Sequence, residues 1–147
     1  MIPYGSANFH QFLNELIGKD DLTVFLSVRD EGTGALTETL YTDLEALGIK
    51  TNLRSKYRYS YYAVISPEGI WENSNPDQTV SLEGHISGVS FSIMSGGWYA
   101  GSGSSIVING TEYSKNLRGM NIVIVKDEAV LETVSFDTCS QEMEETR

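Results

Sequence analysis

The stretch NLRGMNIVIVKDEAVLETVSFDTC, residues 116–139, carries the strongest fold signal in the chain. MNIVIV (120–125) and AVLETVSF (129–136) are dense in β-branched and aromatic residues, and the charged KDE between them reads as a short turn. The stretch therefore predicts a turn, a buried strand, a second turn and another strand. It has the form of an opening unit, yet only eight residues follow it.

Immediately before it, SIVINGTEYS (105–114) carries the Asn-Gly signal of a tight hairpin between strand residues. SGGWYAGSGS (95–104) reads as a glycine-rich connection, and VSLEGHISGVSFSIMS (80–95) as short β-prone runs broken by glycines. WENSNPDQ (71–78) is polar and turn-rich, which predicts a surface loop. YRYSYYAVIS (57–66) is an aromatic-laden strand closed by Pro-Glu-Gly.

Two helices are expected in the first third. SANFHQFLNELIG (6–18) has Ser6 or Asn8 as N-cap, an apolar stripe of Phe9, Phe12, Leu13, Leu16 and Ile17, and Gly18 as its stop. ALTETLYTDLEALGI (35–49) repeats the pattern with Leu36, Leu40, Leu44 and Leu47 before Gly48. Between them LTVFLSV (22–28) reads as a central strand covered on both faces, running into the charged loop RDEGTG. The order is α, β, α and then five or six strands, which argues for a β-rich α+β fold dominated by antiparallel sheet. The 147 residues suit one domain, with 140–147 as a charged tail expected to fray.

Twenty acidic against ten basic residues give a net charge of −10, which opposes binding to nucleic acid and to anionic membranes. No apolar run is long enough for membrane insertion. No secretory leader is legible in MIPYGSANFHQF, so the chain is expected in the cytosol or within a larger assembly; the compartment is otherwise unassigned. A single cysteine, Cys139, and two histidines far apart in sequence, His10 and His85, predict neither a disulfide nor a metal site.

SGGWYAGSGS lacks the lysine and following helix of a phosphate loop, and no GxSxG elbow is present. No catalytic residue, cofactor or metal is therefore expected, and Cys139 reads as a partly buried filler. Adjacent carboxylates such as Asp127 and Glu128 point to opposite sides of a strand and do not form an acid/base couple by sequence alone. The aromatic group of Tyr57, Tyr59, Tyr61, Tyr62, Trp71, Trp98 and Tyr99 is more suggestive, because sugar rings stack on such side chains. The competing reading is that these rings fill the core.

Three blocks carry a family resemblance. NGTEYSKNLRGMNIVIVKDEAVLETVSFDT (109–138) resembles the opening of the interleukin-like EMT inducer (ILEI/PANDER, or GG) domain, with its NG hairpin, RG-x-N, strand and FDT. FLNELIGKDDLTVFLSVRDEGTGALTETLYTDLEALGI (12–49) resembles the second block of that family, and YRYSYYAVISPEG (57–69) its arginine-containing strand. In the family the RG-x-N block comes first; here the order is inverted, so the chain resembles a circular permutation or an out-of-phase segment of a tandem array. Permutation requires neighbouring ends, so the regions near Ala7 and Ser140 are expected close in space.

The resemblance implies a two-sheet antiparallel sandwich flanked by two or three short helices. It departs from the vertebrate secreted members in lacking their paired cysteines, and Cys139 stands where an aromatic commonly follows FDT. A related domain in the stem of a protein O-mannose N-acetylglucosaminyltransferase binds glycan through two arginines and an acid, which match Arg118, Arg58 and Asp30 here. The implied function is a non-catalytic carbohydrate-binding module, of a bacterial surface or phage adsorption type, with Asp30, Arg58, Arg118, Tyr59 and Trp98 contacting a glycan or glycoconjugate. Asp30 is expected to balance both arginines. The alternative is a structural or protein-interaction module in a homo-oligomer or larger assembly, in which the same trio is a stabilising salt bridge.

Overall fold

The computed structural model describes residues 4–147. Its elements, in chain order, are α1 (Tyr4–Leu16), β1 (Leu22–Asp30), α2 (Glu38–Leu47), β2 (Ser60–Ser66), β3 (Gly69–Asn75), β4 (Val80–Ile86), β5 (Val89–Gly97), β6 (Gly103–Ile108), β7 (Thr111–Glu112), β8 (Gly119–Lys126), β9 (Ala129–Phe136) and β10 (Glu145–Thr146). Single 3-10 turns lie at Leu53–Ser55 and Trp98–Ala100. The fold is β-rich, with two α-helices and one curled, mixed ten-stranded sheet.

The stretch 116–139 forms the hairpin β8–β9, with Asp127 and Glu128 both at positive φ in its turn. β1 is the central strand that the sequence predicts. One edge pairs antiparallel with β8 from Leu22 to Arg29. The other edge forks: Val24–Ser27 pair antiparallel with β2, and Arg29 and Asp30 pair parallel with Gly96 and Gly97 of β5. Because the ladder runs on through this fork, hydrogen bonding does not divide the strands into two sheets as the sandwich expectation supposed; the sheet curls, and one pairing is parallel.

The alternation of β1 assigns its two faces. Val24, Leu26 and Val28 face a core made with Phe9, Phe12, Leu13, Leu40, Leu44, Met120, Ile122 and Phe136, which the two helices cover. Phe9 stacks on Phe136 with ring centroids 4.4 Å apart, so α1 rests directly on β9. Phe25, on the other face, joins Tyr62, Val64, Val123 and Val125 beneath Ile93, Ile106 and Ile108 of β5 and β6. The α2 signal holds, since the Thr37 hydroxyl caps it by accepting from the Leu40 N–H and Gly48 ends it; the N-cap reading of α1 does not, because the helix already includes Tyr4 and so places Ser6 and Asn8 inside it. His10 and Asp43 tie the helices together, Nδ1 to Oδ2 at 2.6 Å, and Asn14 donates to the same carboxylate at 3.0 Å.

Two expectations need correction. WENSN is not a loop but most of β3, paired in full register with β2; its polar residues suit a strand with one unpaired edge. The tail does not fray. Met143 is fully buried in the helix-covered core, Glu145 and Thr146 pair with β9, and Arg147 is ion-paired to Glu132 and Glu145. Gly5 lies against the carbonyls of Glu142 and Met143 with no room for a Cβ, which makes the two ends of the described chain neighbours.

The fork exposes backbone groups that no strand can pair. Ser95 resolves this: its hydroxyl donates to the Val28 carbonyl and accepts from the Tyr61 N–H at 2.9 Å. Ser60 accepts from Gly97 N–H at 2.9 Å in the same way. Ser95→Ala should therefore lower stability by about 1–3 kcal/mol, the penalty of unpaired buried polar groups. Urea unfolding checks this; an unchanged midpoint means that another group reaches both atoms.

Candidate functional site

The C-terminal end of β1 is where the candidate residues gather. β1 leaves the sheet through Asp30, a left-handed residue at φ 69°, into the turn Glu31–Gly34. Glu31 is buried (2% exposed) and has no basic side chain in ion-pair range among the described residues. Its carboxylate instead accepts from the N–H groups of Thr33 (2.8 Å), Gly34 (2.6 Å) and Arg58 (3.2 Å) and from the Thr33 hydroxyl (2.9 Å). Charge-assisted bonds to backbone donors compensate a buried carboxylate and fix the groups that make them. The turn after β1 is thereby locked to the turn before β2.

That second turn is Lys56–Tyr59, with Arg58 also left-handed at φ 63°. The Arg58 guanidinium lies over the Tyr57 ring at 5.1 Å and over the Trp98 ring at 4.7 Å. Hydrogen bonding with the Tyr99 phenol foremost, against some desolvation, holds its pKa above the ordinary arginine value. Tyr57, Trp98 and Tyr99 are 57%, 50% and 63% exposed. Beside them Lys56 Nζ sits 4.9 Å from the centre of the Tyr59 ring. Trp98 reaches this place because Gly97 packs directly on the backbone of Arg58–Ser60, where a Cβ would come within 2.5 Å of the Arg58 carbonyl oxygen.

The aromatic group thus divides. Tyr61 and Tyr62 are core residues on opposite faces of β2, whereas Tyr57, Trp98 and Tyr99 form an exposed platform around Arg58. Trp71 is exposed elsewhere, on β3.

Arg118 precedes Gly119, which pairs with Arg29 at the same end of β1. Its guanidinium forks onto Asp137, with Nη2 to Oδ2 at 2.7 Å and Nε to Oδ1 at 3.0 Å, and this pairing raises its pKa. Asp30 hydrogen bonds to neither arginine; it is near enough to Arg118 to act on it electrostatically, as the weakest of the influences there. Asp30 and Arg118 therefore lie near each other, while the Arg58 guanidinium is turned to Tyr57, Trp98 and Tyr99, and Asp30 is not the shared counter-ion that sequence reasoning supposed. A hollow of about 510 Å³ adjoins Arg118 and is lined by Leu117, Ser135, Asp137, Glu144 and Thr146.

Three participants were missed from sequence. Glu31 lay in the charged loop RDEGTG without an assigned role, and only its following Gly-Thr-Gly hinted at a carboxylate wrapped by backbone. Asp137 lay inside the FDT block without an assigned role. Arg29 donates to the Ser102 and Asn116 carbonyls at 3.2 and 2.6 Å, tying β1 to the loops beside β6 and β8. Burial pushes the Cys139 thiol pKa up, with Glu31 adding to the effect, so the thiol is held protonated. Among the described residues no group of three His, Cys, Asp or Glu side chains is placed to hold a metal ion. What the arrangement offers chemically is stacking faces and oriented N–H donors on an open surface.

Replacing Glu31 with alanine strands the donors it holds and should cost about 3 kcal/mol. Amide exchange at Thr33, Gly34 and Arg58 should accelerate well before that of β8, which NMR-detected hydrogen exchange can read; uniform acceleration across the sheet means that Glu31 supports the whole fold and not these two turns. Compared with family models, curated proteins and solved structures, the chain matches none.

Proposed function

We propose that this protein is a non-catalytic carbohydrate-binding module whose contact surface is the exposed platform of Tyr57, Arg58, Trp98 and Tyr99, with Asp30, Tyr59 and Arg118 at its margins. The observation that carries the reading is a guanidinium framed by exposed aromatic rings and anchored through its backbone to Glu31. Aromatic faces accept the apolar C–H faces of a sugar, and a guanidinium supplies donors of fixed geometry for its oxygen atoms. An open surface of this kind favours weak individual binding, strengthened when several copies are displayed together, as on a bacterial surface or a phage adsorption structure. The neighbouring chain ends supply the geometry that a permuted ILEI/PANDER-like domain requires.

A second reading has its own support: Trp, Tyr and Arg are the residue types that dominate protein–protein contacts, so the same platform suits a partner chain or a second copy. Glycan-array binding separates the two. The intact protein should bind, and Arg58→Ala and Trp98→Ala, each with an unchanged far-UV spectrum, should lose roughly tenfold or more in affinity. Arrays silent for all forms, together with a mass that rises with concentration in light scattering and falls in Trp98→Ala, favour the interaction module instead.

A further inference from the structure

The five arginines are not equivalent. Arg54 bonds Glu38 and Glu45, Arg118 is forked onto Asp137, Arg147 is paired with Glu132 and Glu145, and Arg29 has its donors on backbone carbonyls. Arg58, like Arg29, has no carboxylate in ion-pair range among the described residues, in a chain with twice as many acids as bases, and unlike Arg29 its guanidinium is not tied to backbone carbonyls. Glu31, which lies against the Arg58 backbone, is committed to backbone donors and the Thr33 hydroxyl and bonds Arg58 only through its main-chain N–H. Lys56, two residues earlier, is likewise in no ion pair and lies against an aromatic ring. Two cations without a carboxylate partner thus stand on rings, two residues apart in one turn, beside the exposed side chains of Tyr57, Trp98 and Tyr99.

We infer that the ligand of this platform is an acidic sugar, its oxyanion seated on Arg58 and Lys56 while its ring lies on Trp98 or Tyr57. This rests on the carbohydrate-binding reading and narrows it to a substrate class. Stacking fixes the plane of the Arg58 fork, so its edge can meet a carboxylate or a sulfate with two parallel N–H bonds. The surrounding negative charge of the protein works against adventitious anions, which leaves stacking to select those carried on a ring. A nucleic acid strand offers rings and anions too, but its repeated phosphates would face the net charge of −10.

The test is calorimetric titration of the folded protein with oligogalacturonide and its methyl ester, with a sulfated galactan oligosaccharide and its desulfated form, and with a single-stranded oligonucleotide, beside the glycan array above. An acidic sugar should bind roughly tenfold or more tightly than its neutralised counterpart, one charge-assisted contact's worth. Arg58→Gln, which keeps donors but no charge, should erase that difference, Lys56→Gln should reduce it, and added salt should weaken only the acidic ligand. Whichever of the carboxylated and sulfated pairs shows the difference identifies the oxyanion. Neutral sugars binding as well as acidic ones, or a preference that survives Arg58→Gln in a protein with an unchanged melting temperature, overturns the inference while leaving carbohydrate binding in place. Binding of no sugar, on the array or in solution, overturns both, as does tighter binding of the oligonucleotide.

Discussion

The structure turns on a hydroxyl. β1 has one edge for two partners, and at Val28 it must let go of β2 before it takes hold of β5. A buried backbone carbonyl left there without a donor would be costly in the middle of a central strand. Ser95, fully buried, gives its proton to that carbonyl and takes one from the Tyr61 N–H, so a single side chain completes the ladders of two strands at once. The fork, the curl of the sheet and the placing of β5 over the second face of β1 all depend on this exchange.

The same economy recurs around it. Ser27 donates to the Met94 carbonyl and receives from Ser104, which is also bonded to Ser114, and Asn121 bridges the backbone of Leu117 and Ser27. These small polar residues form a buried seam where β1, β5, β6 and β8 meet. Fully satisfied networks of this kind specify one arrangement, since a shifted register would leave several members unpaired. Glu31 extends the seam to the surface, where it locks the turns that carry Asp30 and Arg58. The exposed platform is thus loop-borne but rigidly founded, the condition under which side chains can hold a binding geometry without being buried.

Much of the secondary structure was legible. The hairpin β8–β9, the Asn109-Gly110 turn, the existence of both helices and the doubly covered strand β1 each followed from local pattern, because turn residues and hydrophobic period are short-range signals; the start of α1 did not. The misreadings share a cause. β3 is written in polar residues because its far edge is open, so its strand character comes from pairing with β2 and not from its own composition. The tail is charged at most positions, yet one buried methionine and a two-residue ladder dock it, and neither registers as a run. For the site, residue types and rough neighbourhood were readable, but the pairing was not. Nothing in a linear order tells Arg118 to choose Asp137 over Asp30 when both acids lie near.

By itself the amino-acid sequence determined a β-rich α+β chain with helices at α1 and α2, most of its strands, an excess of acidic residues and an aromatic-laden segment around Arg58, although residues 57–59 prove to be turn and not the start of β2. Those properties reside in periods of two and 3.6 residues and in the identities of neighbours a few positions apart. Only the tertiary structure decided that the strands form one forked, curled sheet, that Trp98 and Tyr99 meet Tyr57 around Arg58, and that Arg58 is left without an acid while Arg118 is given one. The physical reason is that these outcomes depend on which buried backbone groups lack partners, and that account can be drawn up only when strands distant in sequence lie side by side.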